Sequence, residues 1–281
     1  MRKPFRIFFK RFFNLLLTGM KILLSITHLN MKKILLSVTA CFFIIMAFAQ
    51  DSPTPETKKK KKDWSKVSLA GRANDHFMIQ YGIAGWASTP DSISPKGFSR
   101  SFNFYLMLDF PFKTDPRFSV AIGPGIGTDH IFFDKTNITH IDHSNPLRFQ
   151  NVKDTNHYKK YKLVSAFLEL PIELRFSSNP QVNNKSWKIA IGAKVGTLVD
   201  IHSKGKNWVD KYGTTVAGFN DKFVQKQKDK YFFNSNRLVG TGRIGRGNLT
   251  LFGTYQLGSL IKDGLGPTAK PYSIGLTLSG L

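Results

Sequence analysis

One cysteine, Cys41, stands in the 281 residues. A lone thiol excludes a disulfide framework and a cysteine-built metal site. Acidic residues are scarce as well, with 18 Asp and Glu against 41 Lys and Arg. The apolar run Ile34 to Phe48 falls short of the roughly 20 residues a helix needs to cross a bilayer. From residue 76 onward no stretch sustains the 3.6-residue apolar period of an amphipathic helix. These absences remove the disulfide-stapled domain, the helical bundle and the helical membrane protein from consideration.

What is present begins with an export address set back from the first residue. Met31 to Gln50, MKKILLSVTACFFIIMAFAQ, places two lysines before an apolar run that closes on Ala47-Phe48-Ala49. That is the order of a cleavable signal peptide. We read residues 1–30 as an upstream extension or a long basic leader of the signal, 31–49 as the signal, and Met31 as the start. Val38-Thr39-Ala40-Cys41 has the look of a lipoprotein box, but further apolar residues follow Cys41, where such a cysteine should close the run. Cleavage before Gln50 removes the cysteine and leaves a charge of about +15. Export turns the expected partner of this positive charge away from nucleic acid and toward anionic lipid, lipopolysaccharide or anionic glycan.

Residues 50–75 carry Pro53, Pro55, the lysine run 58–62 and few apolar positions. Such a segment cannot bury enough surface to offset its ordering entropy, so a flexible leader is expected. Residues 76–281 then alternate with period two. Phe102, Phe104, Leu106, Leu108, Phe110 and Phe112 share one face against Ser101, Asn103, Tyr105 and Asp109. Val164, Ala166, Leu168, Leu170, Ile172, Leu174 and Phe176 oppose Glu169, Glu173 and Arg175; Ile189, Ile191, Val195, Val199 and Ile201 oppose Lys188, Lys194, Asp200 and His202. Alternation alone does not say which face points out, and a soluble ligand-binding barrel would share it.

Length and rhythm favour the membrane. The alternating segments are long enough for tilted spans of about 9–11 residues. Short connections at 113–117, 177–186 and 246–248 alternate with longer ones at 88–99, 135–161, 203–230 and 259–269. This is the layout of an outer-membrane barrel. Eight strands are expected near 76–87, 100–112, 117–133, 161–176, 187–202, 232–246, 248–258 and 270–281, closing into an antiparallel, all-β, transmembrane barrel of eight strands.

The stretches FYLMLDFPFK, FSVAIGPGIGTDHIFF, LELPIELRF and KIAIGAKVGTLVDIHSKGK resemble the PorT-like small outer-membrane β-barrel family of Bacteroidetes. The resemblance implies fold and location and brings no catalytic residues.

Motifs with chemical potential have plainer explanations. Gly240, Gly242 and Gly245 spell a dinucleotide-type glycine pattern, but the segment after them alternates as a strand and offers no helix N-terminus to a pyrophosphate. Gly123, Gly125 and Gly127 read as relief of crowding, with Phe118, Val120, Ile122 and Ile126 facing lipid. His140, Asp142, His143 and His157 share one long loop without defined ligand spacing. Asp142-His143-Ser144 has hydrolase residue types, but neighbours in sequence cannot form the relay. No cofactor or metal is expected.

The inward charges are the one constellation that asks for an account. Glu169, Glu173, Arg175, Lys188, Lys194 and Asp200, joined by Arg237 and Arg243, are expected in a lumen just wide enough for side chains to fill. A salt-bridged structural plug is the leading reading, and a small-ion or solute path the alternative. A lipid-modifying barrel enzyme would instead need His, Ser or acidic groups converging at one rim. Loops 135–161 and 203–230 carry excess Lys and Arg and offer a surface to lipopolysaccharide, anionic glycan or a protein partner.

Overall fold

The computed structural model describes residues 76–90, 93, 95, 98–139, 143–182, 185–220 and 222–280. The signal, the leader, His140 and Asp142 lie outside them. The described part is all-β, with strands β1 (Phe77–Ala87), β2 (Arg100–Leu106), β3 (Leu108–Pro111), β4 (Phe118–Ile122), β5 (Gly125–Phe133), β6 (Thr136–Thr139) and β7 (Arg148–Asn151). There follow β8 (His157–Ser177), β9 (Trp187–Val209), β10 (Val224–Lys228), β11 (Asn236–Arg246), β12 (Leu249–Gln256) and β13 (Lys270–Ser279).

Antiparallel pairing runs in the order β10-β9-β11-β12-β13-β1-β2-β5-β8-β4-β3, and β9 pairs with β8 as well. The order therefore returns on itself through β9, β11, β12, β13, β1, β2, β5 and β8. Its ladders are uneven: β2 meets β5 from Arg100–His130 to Tyr105–Gly125, whereas β8 follows β9 from His157–Val209 to Ser177–Lys188. The last strand lies against the first, from Met78–Ser279 to Ala87–Lys270.

Period-two alternation sorts the side chains. On β8, Leu168, Leu170, Ile172 and Leu174 are 40–50% exposed, while Phe167, Glu169 and Glu173 between them are at most 2% exposed. The same inversion holds from β2 through Met107 to β3, where Phe102, Leu106, Leu108 and Phe110 face out and Ser101, Asn103, Tyr105 and Met107 face in. An apolar outer face and a polar inner one are the reverse of a water-soluble barrel.

Four departures from the sequence expectation have physical causes. The span expected over 100–112 breaks at Met107, and that over 117–133 breaks at Gly123-Pro124. Opposite the second break, Leu170 and Pro171 of β8 have no partner on that side, so the missing proline donor costs no ladder bond. The regions expected as loops over 135–161 and 203–230 hold the β6–β7 hairpin, the first residues of β8, the end of β9 and β10. Lysines concealed these strands, because beyond the lipid level an outward strand position takes a charge without penalty.

A β-bulge supplies the fourth departure. Ala166 pairs with Asp200 but Phe167 pairs with Leu198, which leaves Val199 as the extra residue of β9. Alternation on β9 reverses there. Ile201, expected on the outward stripe, is 1% exposed and packs in the core, and Asp200, expected inward, is carried to the opposite face.

At the long-loop end the inward positions become apolar. Ile131, Phe133, Tyr161, Leu163, Phe167 and Ile201 from the strands pack with Leu147, Phe232, Phe233, Leu260 and Ile261 from the connections. Trp86 meets Phe133 and Phe149 edge-on at 5.4 and 5.9 Å.

Candidate functional site

Below this apolar cluster, inward side chains from β2, β5, β8, β9 and β11 meet across the concave face. Arg237 of β11 stands at the centre of the first group. Its Nε donates to Glu169 Oε1 at 2.8 Å and its Nη1 to Asp129 Oδ2 at 2.9 Å. Its guanidinium carbon lies 3.8 Å from the centroid of the Phe167 ring, a stacking that a lysine could not reproduce. Tyr105 donates its hydroxyl to Glu169 Oε2. Lys194 Nζ donates to the Tyr105 oxygen at 2.9 Å and lies 3.6 Å from Glu169 Oε2.

Gly127 gives this grouping room. A Cβ there would come 2.7 Å from both Arg237 Nη2 and Glu169 Oε2, so a side chain at 127 would push the ends of the ion pair away from the β5 backbone.

The second group lies toward the short turns. Arg243 Nη2 donates to Glu173 Oε2 at 2.6 Å and its Nε to Oε1 at 3.2 Å, a two-pronged contact. Arg175 Nε donates to the same carboxylate at 3.0 Å, and its Nη1 lies 3.8 Å from Asp109. Each group balances two cations against two carboxylates: Arg237 and Lys194 with Glu169 and Asp129, Arg243 and Arg175 with Glu173 and Asp109. Buried charge is tolerable in this form, because removing an ion from water costs several kcal/mol unless a partner stands against it. Neutral links extend the polar interior toward β1 and β13: Asn103 donates to Gln80 Oε1 at 3.2 Å, and Gln80 to Thr277 Oγ1 at 3.1 Å.

Six of the eight charged residues expected to share the interior are brought together: Glu169, Glu173, Arg175, Lys194, Arg237 and Arg243. Lys188 is half-buried near the start of β9, opposite Ser177 and Gly245. Asp200 stands apart with His202 Nδ1 and Lys228 Nζ, each at 2.8 Å. Asp129 and Tyr105 belong to the network although the charge pattern did not single them out. Their signal was parity: Tyr105 alternates with outward Phe104 and Leu106, and Asp129 is in phase with Gly125 and Gly127.

The remaining motifs lie elsewhere. Gly240, Gly242 and Gly245 sit within β11, and Gly247 (φ 63°) begins the two-residue turn into β12 with the positive φ such turns require. His143 Nε2 donates to Asp229 Oδ2 at 2.9 Å and its ring stacks on Tyr231, whereas His157 contacts the Thr155 carbonyl. Among the described residues no group of His, Cys, Asp and Glu is arranged to hold a metal ion.

A family model described as outer membrane protein beta-barrel domain matches residues 48–259. No curated protein matches the chain.

Proposed function

The chain belongs to the outer membrane protein beta-barrel domain family, and from that premise we propose that its ring of eight paired strands closes into a plugged barrel with a structural or interaction role and no enzymatic chemistry. Its place is the outer membrane. The outward stripes of Leu and Ile suit lipid, and closure would satisfy the backbone donors and acceptors that hydrocarbon cannot. The kinship with PorT-like barrels is part of the same proposal and rests on the strand and turn stretches quoted above.

The observation that carries the plug is the reach of Arg237 from β11 to Glu169 on β8 and Asp129 on β5. The cavity bordered by Asn103, Asp129, Lys194, Arg237, Thr254 and Gln256 has a volume of ≈ 10 Å³, room for about one water molecule. The apolar cluster of the long-loop end supports the same reading. Cations and carboxylates held to one another favour a fixed wall over a path for ions, because a permeating ion would have to displace partners it cannot replace.

Reconstitution of the purified protein into planar bilayers tests this. No steady single-channel current is expected from the wild type, and Arg237→Ser with Glu169→Ser should admit small currents. Steady conductance through the wild type would overturn the plug and favour the transport reading.

A further inference from the structure

We propose that the outer face of β8, β9 and β10, just beyond the apolar stripe, is a docking site for the phosphate groups of a phosphorylated glycolipid of the outer leaflet. The strand register sets lysines directly opposite one another there. Lys162 of β8 faces Lys204 of β9, which faces Lys226 of β10; Lys160 faces Lys206 in the neighbouring row, and Lys228 faces His202. Like charges opposite one another on one face of a sheet destabilise it. None of the residues named in these rows is a carboxylate; Asp200, in the next row opposite Ala166, is held by His202 and Lys228. A fold that keeps such a grid is built for an anion with several charges.

Position identifies the anion. Lys160 and Lys162 have the same parity on β8 as the outward Leu168, Leu170, Ile172 and Leu174, so the grid and the lipid-facing stripe form one continuous surface. From Phe176 to Val164 the outward positions of β8 are all apolar. At about 3.3 Å per residue and a tilt near 45° this stripe rises roughly 28 Å, close to the height of a barrel's apolar band. Lys162 is the next outward residue, at headgroup level and outside the spanning stripe. It lies on the side of the long connections, which in this family of architectures faces outward.

Contacts around Lys162 are consistent with a polarised edge of the bilayer. Its Nζ lies 3.0 Å from His130 Nδ1 and 5.4 Å from the Phe132 ring centroid. Burial holds its ammonium below the ordinary value, and repulsion from Lys204, Lys206 and Arg100 adds to the lowering. A phosphate placed among these side chains would relieve that repulsion and lie where lipid phosphates lie.

The inference rests on the barrel reading above, and one test separates the two. The folded full chain in zwitterionic detergent is titrated with bisphosphorylated lipid A, with the same lipid after removal of both phosphates, with inorganic phosphate and with polygalacturonate. Heat-modifiable gel mobility reports the barrel independently. The wild type should bind the phosphorylated lipid, and Lys162→Gln with Lys204→Gln and Lys226→Gln should weaken it roughly a hundredfold at unchanged mobility. Should the triple variant fail to fold, Lys226→Gln on the edge strand alone should weaken binding roughly fivefold. Equal binding by variant and wild type, or by both lipids, would overturn the proposal. Saturation by inorganic phosphate at the same concentrations, or displacement of the lipid by polygalacturonate, would overturn it in favour of a free anion or a glycan.

Discussion

Arg237 is the residue on which the interior turns. It satisfies Glu169 and Asp129 at once and stacks on Phe167. Arg237→Ala would leave two buried carboxylates with Lys194 as the one cation of their group, and loss of one member of a buried ionic group costs about 3–5 kcal/mol. Urea unfolding of the barrel refolded in lipid vesicles should show a destabilisation of that order. Arg237→Lys should cost less, since charge survives while the two-pronged geometry and the stacking do not. A loss below about 1 kcal/mol for the alanine variant would mean that water reaches the site and that the network is no more than a surface ion pair.

At the scale of the strand, parity governs everything, and the bulge in β9 is its sharpest test. Val199 is the unpaired residue, so its deletion should straighten the β8–β9 ladder while Lys194 stays inward and Ile201 stays buried. Deleting Ile191 should instead turn Lys194 toward lipid, where a basic residue near the midplane costs about 2–4 kcal/mol. Heat-modifiable mobility is expected to survive the first deletion and vanish after the second; the reverse outcome would mean that the register is misassigned. The outward stripes were legible in the sequence because Phe102 to Phe112 and Leu168 to Leu174 alternate without interruption. Ile201 and Asp200 were not, since a bulge is one residue of backbone and leaves the hydrophobic pattern on either side intact. The strands inside the two basic connections were hidden for another reason: outward lysines such as Lys204 and Lys226 mark a loop in composition, and only register reveals them as rows.

For the whole molecule, charge changes meaning with depth. Inside, cations and carboxylates balance within each group; on the rim of β8, β9 and β10, lysines face lysines; between the two levels the outer surface is hydrocarbon. The six network residues gathered from the sequence could be foreseen from alternation plus the rule that buried ions have partners. The apolar cluster at the long-loop end could not, because Leu147, Phe232, Phe233, Leu260 and Ile261 come from connections with no periodicity to read. The central claim is that the apolar face points to lipid and the ionic face inward. It is tested most directly by spin labels on a chain whose single cysteine, Cys41, is replaced by serine, with Leu106→Cys as the lipid site and the 81% exposed Tyr212 replaced by cysteine as the water reference. In reconstituted membranes the label at 106 should collide with oxygen and be shielded from a water-soluble nickel chelate, while the label at 212 meets the chelate freely; equal access of the chelate to both would contradict the account.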